Sequence, residues 1–229
     1  MSSDKDIMIE AVDVNKEYRR AGAIIRALAD VNLKIRSGEF AIIQGPTGCG
    51  KSTLLNVLSG LDLPDSGRII FDGENIARAT EDRLSRLRRQ KIGFVFQDFN
   101  LVNTLTAIEN VEAVLWPTVL RQKEIENRAI ASLRDVDLLD RKDHFPVQMS
   151  GGEKQRCAIA RAVVHRPRVI LADEPSGNLD PQSEKEVMDL LKKINKEMET
   201  TVLLVTHRDL SSYGDKTILM DNGRITKIK

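Results

Sequence analysis

Apolar and polar side chains alternate along the first third of the chain, which is typical of half-buried β-strands. The alternation is clearest at residues 7–14 and 31–35, and Asp72-Gly73 supplies turn residues. This part of the molecule is therefore predicted to be rich in β-structure.

The middle of the chain changes to a helical pattern, in which apolar residues such as Ile125, Ala129 and Leu133 recur every three or four positions. Two fully apolar runs follow, at 169–172 and 202–205, and a helical stretch separates them. Strand, helix and strand in that order indicate a parallel sheet that is covered on both faces.

The whole pattern predicts one α/β domain over residues 1–229. Its core comprises residues 1–97 and 166–229, and a helical subdomain occupies about residues 98–165. The turn Asp221-Asn222-Gly223 near the end lies between two alternating segments, which predicts a β-hairpin.

Composition excludes several classes of protein. The chain carries 35 Lys and Arg against 34 Asp and Glu, so a net charge of +1 gives no support for nucleic-acid binding by electrostatics alone. Its apolar runs are far shorter than the roughly 20 residues of a membrane-spanning helix. The acidic, polar opening lacks the pattern of a secretory signal, and the two cysteines form no disulfide framework, so a cytoplasmic location is expected.

One segment, between a predicted strand at 40–43 and a predicted helix at 52–58, fits the phosphate-binding pattern G-x-x-x-x-G-K-[ST]. This segment, called the phosphate loop below, is Gly45-Pro46-Thr47-Gly48-Cys49-Gly50-Lys51-Ser52, and Thr53 follows it. Glycines let backbone amides converge on phosphate oxygens, and the helix N-terminus adds positive potential. Lys51 is expected to reach the β- and γ-phosphates and Ser52 to bind Mg²⁺. A plain glycine turn is the alternative, which this context disfavours.

Polar residues follow three other predicted strands, at the sheet edge where ligands of open α/β sheets bind. Asp173 is expected to hold Mg²⁺, and Glu174 to act as general base on the attacking water. Gln97 can coordinate Mg²⁺ and orient water, whereas His207 can donate to the γ-phosphate. Alone, each of these residues could be an ordinary solvated or satisfied polar group; their shared placement favours a catalytic role.

A second anion site is predicted at Ser150-Gly151-Gly152. Ser150 is a natural helix N-cap, Glu153 completes a capping box, and the glycines allow close approach to free amides. One chain then has two phosphate-binding helix N-termini but the machinery for one nucleotide. A two-fold homodimer, in which each nucleotide lies between two subunits, would account for both sites.

These motifs resemble those of the nucleotide-binding subunits of ABC (ATP-binding cassette) transporters, and the resemblance covers nearly the whole chain. GPTGCGKST is similar to Walker A, FQD with Gln97 to the Q-loop, MSGGE to the LSGGQ signature, VILADEP to Walker B, GNLD with Asp180 to the D-loop, and VTH with His207 to the H-loop. Tyr18 is placed like the aromatic residue that stacks on adenine in this family, although it could be a surface tyrosine.

The resemblance implies a P-loop NTPase (RecA-like) fold with a mostly parallel sheet, an N-terminal antiparallel β subdomain and an inserted helical subdomain. It implies an ATPase that uses ATP and Mg²⁺, with nucleotide contacts from the residues above, including Asp180. A transmembrane permease would dock near Gln97, Phe99 and Leu101 at the inner face of the cytoplasmic membrane. FVFQDFNLVNTLTAIENV and LADEPSGNLD are most similar to the lipoprotein-release and macrolide-export branch.

Two other functions remain open at this stage: a soluble ABC ATPase that acts on nucleic acid or ribosomes, and a small-molecule kinase. Cys49 gives a prediction specific to this chain. A thiol beside a helix N-terminus and Lys51 is expected to have a lowered pKa and to react readily, unless it faces the core as an inert filler, while Cys157 is expected to be buried.

Overall fold

The computed structural model describes residues 7–20 and 23–229. Residues 1–6, on which part of the prediction about a secretory signal rests, lie outside the described residues. The strands are β1 (Ile7–Arg20), β2 (Ala23–Arg36), β3 (Phe40–Gln44), β4 (Ser66–Phe71), β5 (Glu74–Asn75), β6 (Ile92–Phe96), β7 (Val169–Asp173), β8 (Thr201–Thr206), β9 (Lys216–Asp221) and β10 (Arg224–Ile228). The α-helices are α1 (Lys51–Leu58), α2 (Glu81–Lys91), α3 (Ala107–Glu112), α4 (Gln122–Asp135), α5 (Gly151–Val163) and α6 (Pro181–Glu197).

The prediction that the first third is rich in β-structure is confirmed: β1, β2, β4 and β5 form an antiparallel sheet in the order β2-β1-β4-β5, whereas β3 belongs to a second sheet. The two longest strands of the antiparallel sheet pair along most of their length, from Ile7 opposite Arg36 to Arg20 opposite Ala23. This register places Tyr18 directly opposite Ile25, so their side chains share one face of the ribbon.

The second sheet has the order β10-β9-β3-β8-β7-β6. All neighbours pair in parallel except β9 and β10, which form the antiparallel hairpin predicted from Asp221-Asn222-Gly223. Strand β8 is buried along its whole length, as expected for a strand covered on both faces. Alternate residues of β3 accordingly enter two different cores: Ala41 packs toward the antiparallel sheet with α1 and α2, and Ile42 packs toward α3–α6.

Helices α3, α4 and α5 lie between β6 and β7 in the chain, where the sequence predicted a helical subdomain. Within the described residues, no helix is long and apolar enough to cross a membrane. Because β3, β6, β7 and β8 run parallel, their carboxyl ends meet at one edge of the sheet. The phosphate loop, Gln97, Asp173-Glu174 and His207 follow or end these four strands, so the fold brings them to this edge.

Candidate nucleotide-binding site

An open pocket of about 630 Å³ lies at this edge of the sheet. Eleven of the residues proposed from the sequence line it: Tyr18, Thr47, Gly48, Cys49, Gly50, Lys51, Ser52, Thr53, Gln97, Asp173 and Glu174. The remaining lining residues were not anticipated: Ile25, Arg26 and Ala27 from β2, and Asn222 and Gly223 from the terminal hairpin. The pocket therefore joins the phosphate loop to both sheets.

Two glycines of the phosphate loop are required by close packing against backbone. A Cβ at Gly45 would lie 2.1 Å from the carbonyl oxygen of Met220, and one at Gly50 would lie 2.3 Å from that of Ala27. Gly50 also has a φ of 103°, a conformation that L side chains rarely adopt. The phosphate loop therefore packs directly against the backbones of β2 and β9, with no room for a side chain at either glycine.

The phosphate loop leads into α1 in a way that suits an anion. Gly50 occupies the N-cap of α1, no side chain caps the helix, and no acidic residue lies in its first turn. Its N-terminal amides therefore keep donors and positive potential for a phosphate. Lys51 is buried, and its Nζ donates to the carbonyl oxygens of Gly45 (2.8 Å) and Pro46 (2.9 Å), which fixes the ammonium group inside the loop.

Oxygen ligands suited to a divalent cation come together beside the phosphate loop. The Ser52 hydroxyl donates to Asp173 Oδ1 over 3.1 Å, and Gln97 lines the same pocket. Burial raises the pKa of Asp173 above its usual value, while the hydrogen bond from Ser52 opposes this shift. A hydroxyl, a carboxylate and an amide oxygen are hard donors, and Mg²⁺ commonly binds through one or two carboxylates plus phosphates and water, so this set fits Mg²⁺.

Glu174 leaves β7 in a left-handed conformation, with a φ of 46°. Its amide donates to the carbonyl oxygen of Val205 over 2.9 Å, which anchors the turn to β8. The carboxylate Oε2 then lies 2.6 Å from Nδ1 of His207, a hydrogen-bonding distance. The two residues proposed to act on the γ-phosphate and its attacking water are thus in direct contact.

Three hydrogen bonds that the sequence did not reveal, made by two glutamine side chains, connect this site to its surroundings. Gln97 Nε2 donates to Asn178 Oδ1 over 3.2 Å, which links the Q-loop to the segment before Asp180. The Gln155 side chain, fully buried on α5, donates to the carbonyl oxygens of Pro175 (2.6 Å) and Phe96 (3.3 Å). A polar residue on the apolar face of a predicted helix was the available signal for Gln155.

The proposed second anion site has the predicted local structure. Ser150 caps α5, its hydroxyl oxygen accepts from the Glu153 amide over 3.2 Å, and Glu153 Oε2 accepts from the Ser150 amide over 2.7 Å, so the capping box is confirmed. Among the residues that the structure describes, the lining of the pocket does not include Ser150, Gly151 or Gly152. Their contact with a phosphate stays a prediction.

Asp180 also lies outside the pocket lining, in the part of the chain that the structure describes. It caps α6, where Oδ1 accepts from the amides of Gln182 and Ser183 and Oδ2 accepts from the Ser183 hydroxyl over 2.6 Å. These bonds hold the pKa of the Asp180 carboxyl below its usual value. The structure accounts for Asp180 as a helix cap, and its contact with a nucleotide stays a prediction.

Tyr18 lies at the rim of the pocket and is 38% exposed, a position open to a ring stacked on it. Its cross-strand partner Ile25 lines the pocket beside it. Burial, followed by a hydrogen bond to Asp62, raises the pKa of Tyr18 to about 12, so the phenol stays neutral at physiological pH. Stacking on adenine stays a prediction.

The prediction of a lowered pKa for Cys49 is wrong. Burial raises the pKa of this thiol above its usual value, despite the opposing effect of Lys51. Cys49 is only 5% exposed and packs in the core cluster of the two sheets, because Gly45 has no Cβ and leaves room for the sulfur. Cys157 is fully buried, as expected, and burial raises its pKa to about 12.

Among the residues proposed to receive a permease, Gln97 lines the pocket, whereas Phe99 and Leu101 do not. Phe99 and Leu101 are half-buried and pack against the core beneath the helical subdomain. Phe99 and Asn100 both have left-handed backbones, and the guanidinium of Arg161 on α5 donates to both of their carbonyl oxygens. This arrangement fixes the segment after Gln97 to the helix that Ser150 begins.

The fold and this pocket define a P-loop nucleotide-binding domain. Residues 28–177 match the family model described as ABC transporter. An uncharacterized ABC transporter ATP-binding protein of Methanocaldococcus jannaschii, MJ1508, is 45% identical over 96% of this chain and 99% of its own length. The macrolide export ATP-binding/permease protein MacB of Brucella abortus is 41% identical over 95% of this chain, which spans 34% of that longer protein.

Among solved structures, the ATP-binding cassette MJ0796 in a dimeric, post-hydrolysis state with ADP and Pi resembles this chain with a TM-score of 0.90. It is 41% identical, and the match covers 97% of this chain and 98% of that one. The chain belongs to the ABC transporter family. It is an ATP-binding subunit and an ATPase of the ABC type, and the small-molecule kinase alternative is thereby set aside.

Proposed function

We propose that this chain binds and hydrolyses MgATP between two copies of itself, and that it drives a separate transmembrane partner. One observation carries the proposal: the pocket unites residues 47–52 of the phosphate loop, the Ser52–Asp173 pair and Glu174. Among the described residues, His207 lies outside the lining and reaches the site through its contact with Glu174, whereas the Ser150 helix N-terminus lies outside the lining with no such contact. A second copy would supply that N-terminus to the nucleotide. The dimeric structure of MJ0796 with ADP and Pi supports this assembly.

In this proposal, Lys51 and the free amides of α1 bind the β- and γ-phosphates. Ser52, Asp173 and Gln97 hold Mg²⁺, which supplies charge neutralisation on the phosphate oxygens when it is bound. Glu174 accepts a proton from the attacking water, and His207 donates a hydrogen bond to the γ-phosphate. With a proton on each ring nitrogen, His207 would donate from Nδ1 to Glu174 and from Nε2 to the phosphate, and the first of these bonds would keep the base oriented beside that phosphate.

We further propose that the partner is a permease of the exporter or lipoprotein-release type. MacB, a macrolide export ATP-binding/permease protein, supports this assignment, because it joins an ATP-binding part to a permease within one protein. Phe99, Leu101 and Gln97 would form the docking surface, and the Arg161 bonds would transmit its position to the signature helix α5. The subunit would then work at the inner face of the cytoplasmic membrane.

Hydrolysis is tested by measuring phosphate release from the purified chain and its variants. Replacing Glu174 by Gln should lower kcat by about 10²- to 10⁴-fold, the usual contribution of a general base, while ADP affinity stays near wild type. Lys51→Ala should abolish nucleotide binding. Glu124→Gln, on the exposed face of α4, is the matched control and should leave both properties unchanged. Unchanged hydrolysis in Glu174→Gln would remove Glu174 from its proposed role.

Docking is tested by isolating the chain from detergent-solubilised membranes and identifying what accompanies it. A permease should co-purify with wild type and with the control Ile228→Asp, which alters an exposed apolar residue on β10. It should be lost with Leu101→Asp, whose basal ATPase activity should remain. Ribosomes or nucleic acid in place of a permease would favour the soluble alternative.

A further inference from the structure

A small polar cluster includes Tyr18, the residue predicted to stack on adenine, and two charged residues to which none of the steps above gives a role. It consists of Tyr18 and Lys16 on β1 and Asp62 in the loop after α1, and it joins segments that lie 44 residues apart. Lys16 is buried, and Asp62 is half-buried. Charged groups are seldom withdrawn from water without a partner, so Lys16 and Asp62 are expected to be paired here.

The contacts centre on the Asp62 carboxylate. Oδ2 accepts from the Tyr18 hydroxyl over 2.7 Å, and Oδ1 accepts from Lys16 Nζ over 2.7 Å. Lys16 Nζ also donates to the carbonyl oxygen of Leu63 over 2.7 Å and lies 5.2 Å from the centroid of the Tyr18 ring. The ring is thus held at its hydroxyl by a carboxylate, with a cation against it.

The charge state of Asp62 favours a strong hydrogen bond to the Tyr18 hydroxyl. Burial would raise its pKa, but hydrogen bonds from Lys16 and Tyr18 outweigh burial and bring the pKa below its usual value. Asp62 is therefore ionised at neutral pH, and hydrogen bonds to an ionised acceptor are roughly twice as strong as neutral ones. A tyrosine that needed only to sit on the surface would not require such an anchor.

The anchor also connects the ring to the phosphate loop. Asp62 follows α1, and its amide donates to the carbonyl oxygen of Asn56 on that helix over 3.2 Å. The same helix begins at the phosphate loop with Lys51 and Ser52. The N-terminus of α1 therefore faces the phosphates, and the loop that follows the same helix anchors the Tyr18 ring.

We propose that Asp62, held by Lys16, is a positioning residue that fixes the Tyr18 ring in the orientation in which it receives the purine base. The inference rests on the proposed stacking of adenine on Tyr18 and names the groups that make this stacking favourable. An exposed ring that must be ordered on binding lowers affinity by about 2- to 12-fold, and the Asp62 bond orders it in advance.

The test compares two ligands, MgADP and Mg-pyrophosphate, on the purified chain. Both can occupy the phosphate loop, but only ADP carries a base, so the ratio of their affinities isolates the base platform. Asp62→Ala should weaken ADP by about fivefold, equivalent to ~1 kcal/mol, and Tyr18→Phe, which keeps the ring and loses the hydroxyl, should behave similarly. Pyrophosphate affinity should stay within about twofold of wild type, because the phosphate groups are untouched.

Asp65→Asn is the matched control. Asp65 lies in the same loop, 4.0 Å from Lys16, and accepts from the Glu17 amide, yet it does not bond to the Tyr18 hydroxyl. The Asp65→Asn variant should bind ADP with the affinity of wild type. A double-mutant cycle completes the test: once Tyr18→Ala has removed the ring, adding Asp62→Ala should have no further effect on ADP.

The possible outcomes separate this inference from the proposed function. Wild-type protein that fails to bind ADP would overturn the proposed function, and Tyr18→Ala with unchanged ADP affinity would overturn the stacking on which the inference rests. Three results would overturn the positioning role alone: wild-type ADP affinity in Asp62→Ala, equal losses for ADP and pyrophosphate, or an undiminished effect of Asp62→Ala in the Tyr18→Ala background.

Discussion

The terminal hairpin supports the phosphate loop through hydrogen bonds made by Gly223 in its turn. The Gly223 amide donates to the carbonyl oxygen of Cys49 over 2.9 Å, and its own carbonyl accepts from the Ala29 amide over 2.8 Å. Gly223 has a φ of 75°, and a Cβ there would lie 2.8 Å from the carbonyl oxygen of Ala27. Gly223→Ala should therefore disturb both the turn and the loop that it holds.

Gly73 provides a matched control for the size of this effect. It has a similar φ of 80°, but a Cβ there would meet nothing within 4 Å. Gly73→Ala should lower the unfolding free energy by about 1–2 kcal/mol, because alanine is less stable than glycine in a left-handed conformation. Gly223→Ala adds a backbone clash, and overpacking of this kind costs about 1–3 kcal/mol more. At ~2–4 °C per kcal/mol, a total near 3 kcal/mol lowers Tm by about 6–12 °C, roughly twice the control.

The assay pairs thermal unfolding with ADP titration of both variants. Gly223→Ala should lose ADP affinity in addition to stability, because its amide orients Cys49 within the phosphate loop. Gly73→Ala should keep wild-type affinity, because it lies in the turn between β4 and β5, outside the pocket lining. A Gly223→Ala variant no less stable than Gly73→Ala, with unchanged ADP affinity, would refute the reasoning that the hairpin turn supports the loop.

Three further predictions follow from individual contacts. Cys49 should react slowly with maleimide at pH 7, because burial raises its pKa, and the rate of labelling should still increase above pH 9. Cys157 should react more slowly than Cys49, and peptide mapping of the labelled protein measures both rates. Ser150→Arg should leave ATP affinity of the isolated subunit near wild type while it stops hydrolysis, whereas Lys51→Ala should abolish binding; equal losses of affinity would contradict an action of Ser150 in trans. Gln155→Ala should lower the unfolding free energy by about 1–3 kcal/mol in urea denaturation, because the buried carbonyl oxygen of Pro175 loses this donor, whereas that of Phe96 keeps the Phe99 amide, 3.3 Å away.

Local signals in the sequence account for most of the elements. The capping box at Ser150, the hairpin turn at Asn222-Gly223 and the apolar runs of β7 and β8 each depend on residues that are neighbours in the chain. Such signals predict where an element begins and ends. The edge of a parallel sheet then brings Asp173 and His207 together without further information.

The remaining features depend on contacts between distant segments. Lys51 and the helix N-terminus were expected to lower the pKa of the Cys49 thiol. Its packing against the Gly45 backbone decides the pKa instead, because desolvation of the thiol exceeds the effect of the lysine charge. The bond between Tyr18 and Asp62 and the register that sets Tyr18 opposite Ile25 also join distant positions. Periodicity along one strand carries no information about such partners.

The central claim is that two copies of this chain enclose each nucleotide. Sedimentation velocity of Glu174→Gln, with and without ATP, tests it most directly, because this variant keeps the phosphate donors and loses the base. The account predicts a monomer without nucleotide, a dimer with ATP, and a return to monomer when Ser150→Arg is added. A Glu174→Gln protein that binds ATP and remains a monomer would contradict it.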